Sequence, residues 1–171
     1  MRRARLSNRE VRELREIYNY MSPFLDNAET VEVMKISDNI DIYIIDGEPL
    51  FSKFITNEGE YVVPTLYLIH KSQRGGQLKP FPKVYVDQGA VRPIINGADV
   101  MRPGIKKFEG DFNKGDIVFV ADEKGRVIAV ASALYTRGEV EQMQKGKVLI
   151  NLHYLGDRLW KASLDLVKTK S

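Results

Sequence analysis

Apolar residues along the chain change period several times, and each change marks an element. Val11, Leu14, Ile17, Tyr18 and Met21 recur at helical spacing behind Ser7 and Glu10, a capping-box pair, so a first helix is expected over about residues 8–20. The period then becomes that of β structure in VEVMKI (31–36) and IDIYII (40–45), and Asp46-Gly47 turns the chain into PLFSKFI, giving an antiparallel meander. Val62-Val63-Pro64 leads into TLYLIHK. Pro64 suits the first turn of a short helix whose apolar face is Leu66, Ile69 and the ring of Tyr67.

Residues 72–82, SQRGGQLKPFP, are rich in Gly, Pro and polar side chains and read as a linker or exposed loop. A domain boundary near Pro82 is therefore expected, dividing the chain into 1–82 and 83–171. Beyond it come a strand at VYV, a short helix, a strand near Asp99 to Met101, strands at GDIVFVAD and GRVIAVASAL, a helical turn over 138–144, and KVLINLHYLGDRLW closing the domain. Many short strands with few helices describe a small barrel.

Composition excludes several classes. No apolar run approaches the roughly 18 residues that span a bilayer, and the basic start MRRARLSNREVRELRE runs into a charged helix, not into the apolar core of a secretory signal. With no cysteine, disulfides and thiolate metal sites are absent, which fits a reducing cytoplasm. His70 and His153 are isolated, neither has an evident nucleophile, and Gly75-Gly76 follows no strand and lacks a Lys-Ser/Thr ending, so no catalytic, metal or cofactor site is expected.

Charge is unevenly spread. Residues 1–21 carry six Arg against three Glu, residues 22–70 two Lys against nine acids, residues 71–107 eight Lys/Arg against two Asp, and residues 108–171 ten Lys/Arg against nine acids. Such segregation suggests a basic surface with an acidic neighbour. In the first helix Arg and Glu interleave at pairing distances, so intrahelical support is the expected use of its charges, and its first five residues are expected to be disordered.

The basic block contains VYVDQGAVRPIINGADVMRPGI (84–105), where small, charged and proline residues crowd around a thin aliphatic seam. Val91, Ile94, Ile95 and Ala98 sit at i, i+3, i+4 and i+7 and are expected to face the core. Gly89 and Ala90 fall in or just before the first helical turn, where free amides and absent side chains would let a phosphate-sugar backbone approach. Gly97 is expected to end the helix with positive φ. Pro93 requires the helix to start late or be short; a start near Ala90 would put it in the tolerated first turn. Asp87 and Asp99 read as a helix cap and as a hydrogen-bond acceptor where a strand begins.

Arg92, Arg102, Lys106 and Lys107 flank the small residues and are candidate phosphate contacts, with Arg92 and Arg102 foremost. Met101 and Ile105 either line an apolar slot for a terminal base or pack in the core. Lys71, Arg74, Lys79 and Lys83 form a looser basic string, of which Lys71 and Arg74 are further RNA-binding candidates.

Val86-Asp87, Gly89-Ala90, Gly97-Ala98-Asp99, Met101, Pro103-Gly104-Ile105, Gly115-Asp116 and Val127 to Ala131 resemble a PUA domain, the small RNA-binding pseudo-barrel of pseudouridine synthases and archaeosine transglycosylases. Asn151-Leu152-His153-Tyr154-Leu155 with Asp157 and Leu159-Trp160, Pro64-Thr65-Leu66 with Leu68, His70 and Lys71, and Asp46-Gly47-Glu48 with Leu50-Phe51 extend the likeness. Together they resemble the malignant T-cell amplified sequence family of translation factors. The resemblance implies an α+β N-terminal domain (1–82) followed by a mixed-β PUA pseudo-barrel (83–171). It also implies work on the small ribosomal subunit in initiation, reinitiation or recycling, through a tRNA acceptor end or ribosomal RNA. A density-regulated-protein-like or initiation-factor partner belongs to the same implication.

The resulting expectation is a non-catalytic, cytoplasmic RNA-binding protein acting in translation. Two alternatives remain at this level: an RNA-targeting subunit of an RNA-modifying enzyme, and an adaptor whose acidic 22–70 region docks a basic factor.

Overall fold

The computed structural model describes residues 2–168, which fall into two compact units: residues up to Lys79 together with the helix beginning at Arg158, and Pro80–Asp157. The boundary expected from sequence lies at 82/83, with the second domain running to 171. The difference is the last helix, which packs with the first unit; Met1 and residues 169–171 lie outside the described residues.

The first unit opens with β1 (Arg3–Arg5), paired antiparallel to β2 (Val31–Ser37), where disorder was expected. Between them lies α1 (Asn8–Ile17), started by the anticipated capping box: Ser7 accepts from the Glu10 amide and the Glu10 carboxylate accepts from the Ser7 amide. The Glu10 carboxyl is held below the usual carboxylate range by that backbone hydrogen bond. α1 stops at Ile17, short of residue 20, because Tyr18 leaves helical geometry (φ −120°, ψ 74°). A 3₁₀ turn at Asn19–Met21 and a short α2 (Ser22–Leu25) follow, with Pro23 at the start of α2. The change of axis leaves Ile17, expected on the buried face, 70% exposed, while Met21, Phe24 and Leu25 enter the core.

β2, β3 (Ile40–Ile45), β4 (Glu48–Thr56) and β5 (Gly59–Pro64) form the meander, giving a five-stranded antiparallel sheet in sequence order. Asp46 and Gly47 turn β3 into β4 with positive φ at both (49° and 84°), the geometry two-residue hairpins favour. The Asp46 carboxylate also accepts from the Glu29 and Thr30 amides at 2.8 and 3.0 Å, tying the loop before β2 to the hairpin. Pro64 ends β5, and Thr65 caps α3 (Leu66–His70) instead of Pro64 opening it. Fully buried, Thr65 accepts from the Leu68 amide at 3.0 Å and donates to the Pro49 carbonyl at 2.7 Å. Phe24 meets Phe51 edge-on at 5.2 Å in the core.

The second unit contains β6 (Lys83–Val86), α4 (Gln88–Ile94), β7 (Val100–Met101), β8 (Ile105–Glu109), β9 (Ile117–Ala121), β10 (Val127–Ala133), α5 (Arg137–Gln142) and β11 (Lys147–Tyr154). The sheet order is β7-β11-β10-β9-β6-β8, antiparallel except where β6 runs parallel to β9. Its two edge strands, β7 and β8, are consecutive and joined only by a 3₁₀ turn at Arg102–Gly104. Six strands laid flat would hold those edges roughly 24 Å apart, whereas four Cα steps span at most about 15 Å. The sheet must therefore curl toward closure, and Val84, Val86, Val118, Val120, Ile128, Val148 and Leu149 are buried together in its core cluster. β8 is the strand that the sequence periodicity missed. α6 (Arg158–Lys168) returns to the first unit, burying Leu159, Ser163 and Leu166 on one face.

Because Thr65 satisfies a helix amide and a strand carbonyl where water is excluded, Thr65→Ala should cost about 1–2 kcal/mol in denaturant unfolding followed by tyrosine fluorescence, and Thr65→Ser should recover most of it.

Candidate nucleic-acid interface

α4 begins at Gln88, two residues before the start near Ala90 expected from sequence, because Asp87 caps it by accepting from the Ala90 amide at 2.9 Å. Pro93 thus lies inside the helix and offers no hydrogen to the Gly89 carbonyl four residues back. The helix tolerates this by ending at once. Ile94 is its last residue, the chain tightens through Asn96 N–H to Pro93 O and Gly97 N–H to Ile94 O, and Gly97 takes φ 98° as expected. That early end corrects the expected core face: Ile94 is buried and Val91 half-buried, but Ile95 is 36% exposed and Ala98 faces solvent. Asn151 holds the stop in place, donating through Nδ2 to the Ile94 and Ala98 carbonyls at 3.0 and 2.9 Å. Its own amide donates to Asp99, which also pairs with Lys147 at 2.9 Å.

The start of α4 is not an open anion site. Two of its first amides are taken by carboxylates, that of Ala90 by Asp87 and that of Gln88 by Glu123 at 3.3 Å, and fixed negative charge there opposes a phosphate. Ala90 is half-buried, and a Cβ on Gly104 would lie 3.1 Å from that of Ala90. These two small residues let α4 and the β7–β8 turn approach, an approach fixed by Asp87 N–H to Gly104 O at 2.9 Å. Gly89 is different. It is exposed, its φ is not positive, and an added Cβ would meet only Asp87 Oδ1 at 3.5 Å, so neither packing nor turn geometry demands a glycine there.

Arg102 is committed to the fold. Its Nε donates to the Val140 carbonyl at 2.7 Å, its Nη1 to the Ile105 carbonyl at 3.3 Å, and its guanidinium lies 5.5 Å from the Phe108 ring centre. Arg137 takes a matching place 5.4 Å from that ring while donating to the Gly110 carbonyl at 2.7 Å. Together they fasten the β7–β8 connection to α5.

Arg92, Lys106 and Lys107 are exposed. Tyr85 pairs with Lys107 across β6 and β8, but Val86 pairs with Ile105, so Lys106 is the extra residue of a β-bulge. The bulge interrupts the alternation of faces, and both lysines consequently stand in solvent. Lys107 Nζ lies 4.9 Å from the Tyr85 ring centre, and the phenol of Tyr85, pushed up by its hydrogen bond to Glu109, also borders Lys83. Arg92 and Lys106 make no side-chain hydrogen bond or ion pair among the described residues. Met101 is 49% exposed, whereas Ile105 is buried, so they do not share one apolar slot.

Lys71 and Arg74 belong to the first unit. Arg74 lies 5.1 Å over the Phe24 ring and Lys79 5.7 Å over that of Tyr20, so the segment expected to be a linker or exposed loop is held by cation–π contacts. A Cβ on Gly75 would lie 3.0 Å from the Leu68 carbonyl oxygen, tighter than a side chain ordinarily packs against backbone. Lys71 is exposed. His153, fully buried, pairs through Nδ1 with Asp157 at 2.8 Å, and Asp157 also accepts from the Tyr154 amide, an arrangement that fixes the end of β11. No group of three or more His, Asp or Glu able to hold a metal occurs among the described residues, and no helix there is long and apolar enough to cross a membrane.

Comparison with known proteins accords with this architecture. Residues 2–72 match the Pre-PUA-like domain and residues 82–155 the PUA domain. An uncharacterised protein of Methanocaldococcus jannaschii is 36% identical over 156 residues, covering 87% of this chain and 91% of its own. Translation machinery-associated protein 20 of Saccharomyces cerevisiae is 29% identical over 163 residues, covering 91% and 84%. The crystal structure of a PUA domain protein from Aeropyrum pernix K1, solved as a tartrate complex, superposes with a TM-score of 0.74 at 26% identity, covering 96% of this chain and 92% of that one. With a Pre-PUA region, a curled mixed PUA sheet and full-length relatives at this level of identity, the chain belongs to the family that contains translation machinery-associated protein 20 and the malignant T-cell-amplified sequence proteins.

Proposed function

We propose that the protein is a non-catalytic RNA-binding factor of translation that grips RNA backbone through Arg92, Lys106 and Lys107. The observation that carries this is the bulge in β8: it turns two consecutive lysines outward beside α4, where Arg92 is exposed and Gly89 leaves room that the fold does not need. Three cations beside an uncrowded backbone suit a phosphate-sugar chain, with contacts that position RNA without reading its sequence. The name of the yeast relative supports translation as the setting. The targets we propose are the acceptor end of tRNA or ribosomal RNA of the small subunit, in the cytoplasm, with a density-regulated-protein-like or initiation-factor partner as a further component. Lys71 is a separate candidate contact on the first unit, and Arg102 and Arg74 act by holding structure.

The test is binding to tRNA, with and without its 3′ terminal nucleotides, at two salt concentrations, together with co-sedimentation with small ribosomal subunits. The wild-type protein should bind, and the triple change Arg92→Ala, Lys106→Ala, Lys107→Ala should reduce the steepness of the log-affinity against log-salt line by roughly 2–3. Absence of any affinity for tRNA or subunits at low salt overturns the reading. Detection of base modification by the protein alone would do the same in favour of catalysis.

Arg102→Ala should behave differently from Arg92→Ala. Losing the Val140 and Ile105 contacts should lower stability by about 1–3 kcal/mol in denaturant titration, while Arg92→Ala should leave the unfolding midpoint unchanged.

A further inference from the structure

The charges of α1 are used only in part as the interleaving of Arg and Glu suggests. Of its arginines, Arg9 pairs within the helix, to Glu13 at 3.3 Å. Asn8, Arg12 and Arg15 recur at i, i+4 and i+7 and so share one helical face. With Arg5 from β1 they line a cavity of about 330 Å³ in the first unit, whose other polar lining includes Asp26 and Glu29. Each guanidinium there keeps binding capacity. Arg5 Nη2 donates to the Glu29 backbone carbonyl at 3.1 Å, not to its carboxylate. Arg15 Nε lies 2.8 Å from Asp26 Oδ1, yet off the N–H axis, so this buried nitrogen has an ionic neighbour but no hydrogen bond. Arg12 is exposed and makes no hydrogen bond or ion pair among the described residues.

We infer that this cleft between β1 and α1 binds a sugar phosphate, with the phosphate on Arg5, Arg12 and Arg15. Planar guanidinium forks match phosphate oxygens in pairs, which point-like ammonium groups do not. Arg5 is held by the Glu29 carbonyl and Arg15 by Asp26, so two of the three forks are positioned before a ligand arrives, and positioning them costs less entropy on binding. Asp26 and Glu29 accept hydrogen bonds but donate none when ionised, which suits sugar hydroxyls and excludes a second phosphate from their side. The cavity lies near the lower end of the roughly 300–1,000 Å³ typical of ligand sites, larger than a bare oxyanion needs. The sugar phosphate has two sources, a unit of an RNA chain or a free nucleotide. This inference does not rest on the RNA contacts proposed for β8 and α4, which lie in the other unit.

The experiment is NMR titration of the full chain, following the arginine Nε–Hε resonances, with inorganic phosphate, 5′-AMP and an unstructured RNA hexamer, each against sodium chloride at equal ionic strength. Saturable shifts at Arg5, Arg12 and Arg15 are expected, tighter for 5′-AMP or the hexamer than for phosphate. Tighter binding of the hexamer than of 5′-AMP identifies an RNA chain as the source, and the reverse identifies a free nucleotide. Arg12→Ala should weaken binding by roughly fivefold or more without moving the unfolding midpoint. Arg9→Ala removes the same charge from outside the cavity and should leave affinity unchanged. The inference is overturned if none of the three probes gives a saturable shift beyond that of chloride, or if Arg12→Ala and Arg9→Ala bind alike. Failure here leaves the response of Arg92, Lys106 and Lys107 variants to tRNA as an independent result.

Discussion

The second unit is governed by a connection too short for a flat sheet. Arg102–Gly104 are the only residues between the two edge strands, so the sheet curls, and every local peculiarity of the region serves that closure. Gly104 and Ala90 are small because α4 and the turn meet there. Arg102 reaches the Val140 and Ile105 carbonyls because the turn needs an anchor on α5. The β8 bulge takes up the residue that β6 leaves unpaired, and Lys106 in solvent is a by-product of that geometry.

The same constraint sorts cations that look equivalent in one dimension. Arg92, Arg102, Lys106 and Lys107 lie within sixteen positions of one another, but Arg102 is satisfied by carbonyls and an aromatic ring, whereas Arg92 and Lys106 are exposed and make no side-chain hydrogen bond or ion pair among the described residues. Whether a guanidinium binds a ligand or its own backbone depends on which unpaired carbonyls the fold brings near, and those come from α5 and β8, remote in sequence from Arg102 or out of phase with it. Arg74 repeats the case in the first unit, where Phe24 takes the place of carbonyls.

What was legible in the sequence were features whose cause is local. The capping box, the Asp46-Gly47 hairpin, the Asp87 cap, positive φ at Gly97 and most strands follow from neighbouring residues, and the two-domain family likeness follows from motifs. What was not legible depended on distant partners. β1 is a strand because β2 offers it an edge, and α6 joins the first unit because its Leu159, Ser163 and Leu166 stripe finds cover there. Ile95 and Ala98 matched a helical period that Pro93 cuts short, so the pattern outlasted the helix it described. At the start of α4 a local and a distant carboxylate meet: Asp87 holds the Ala90 amide, as a cap read from sequence would, while Glu123, thirty-five residues from Gln88, holds the Gln88 amide and had no local signal.

Segment charge sums show the same limit from the electrostatic side. The acids of residues 22–70 are individually placed: Asp41 and Glu60 near Lys53, Glu32 near Arg3, Asp26 near Arg15. In the second unit Asp87, Asp99, Asp116 and Asp122 accept from backbone amides at helix, strand and turn ends. Carboxylates used this way are fixed where a cap or turn needs them, and only Asp99 and Asp122 of these four also meet a cation, Lys147 and Arg126. Positive charge without an ion-pair partner among the described residues therefore stands at Arg92 of α4 and Lys106 of β8, and on α1 at Arg12, since Arg9 pairs with Glu13 and Arg15 with Asp26. A field that steers a polyanion is set by which charges lack partners, so its sources are found by following each carboxylate to the group it serves.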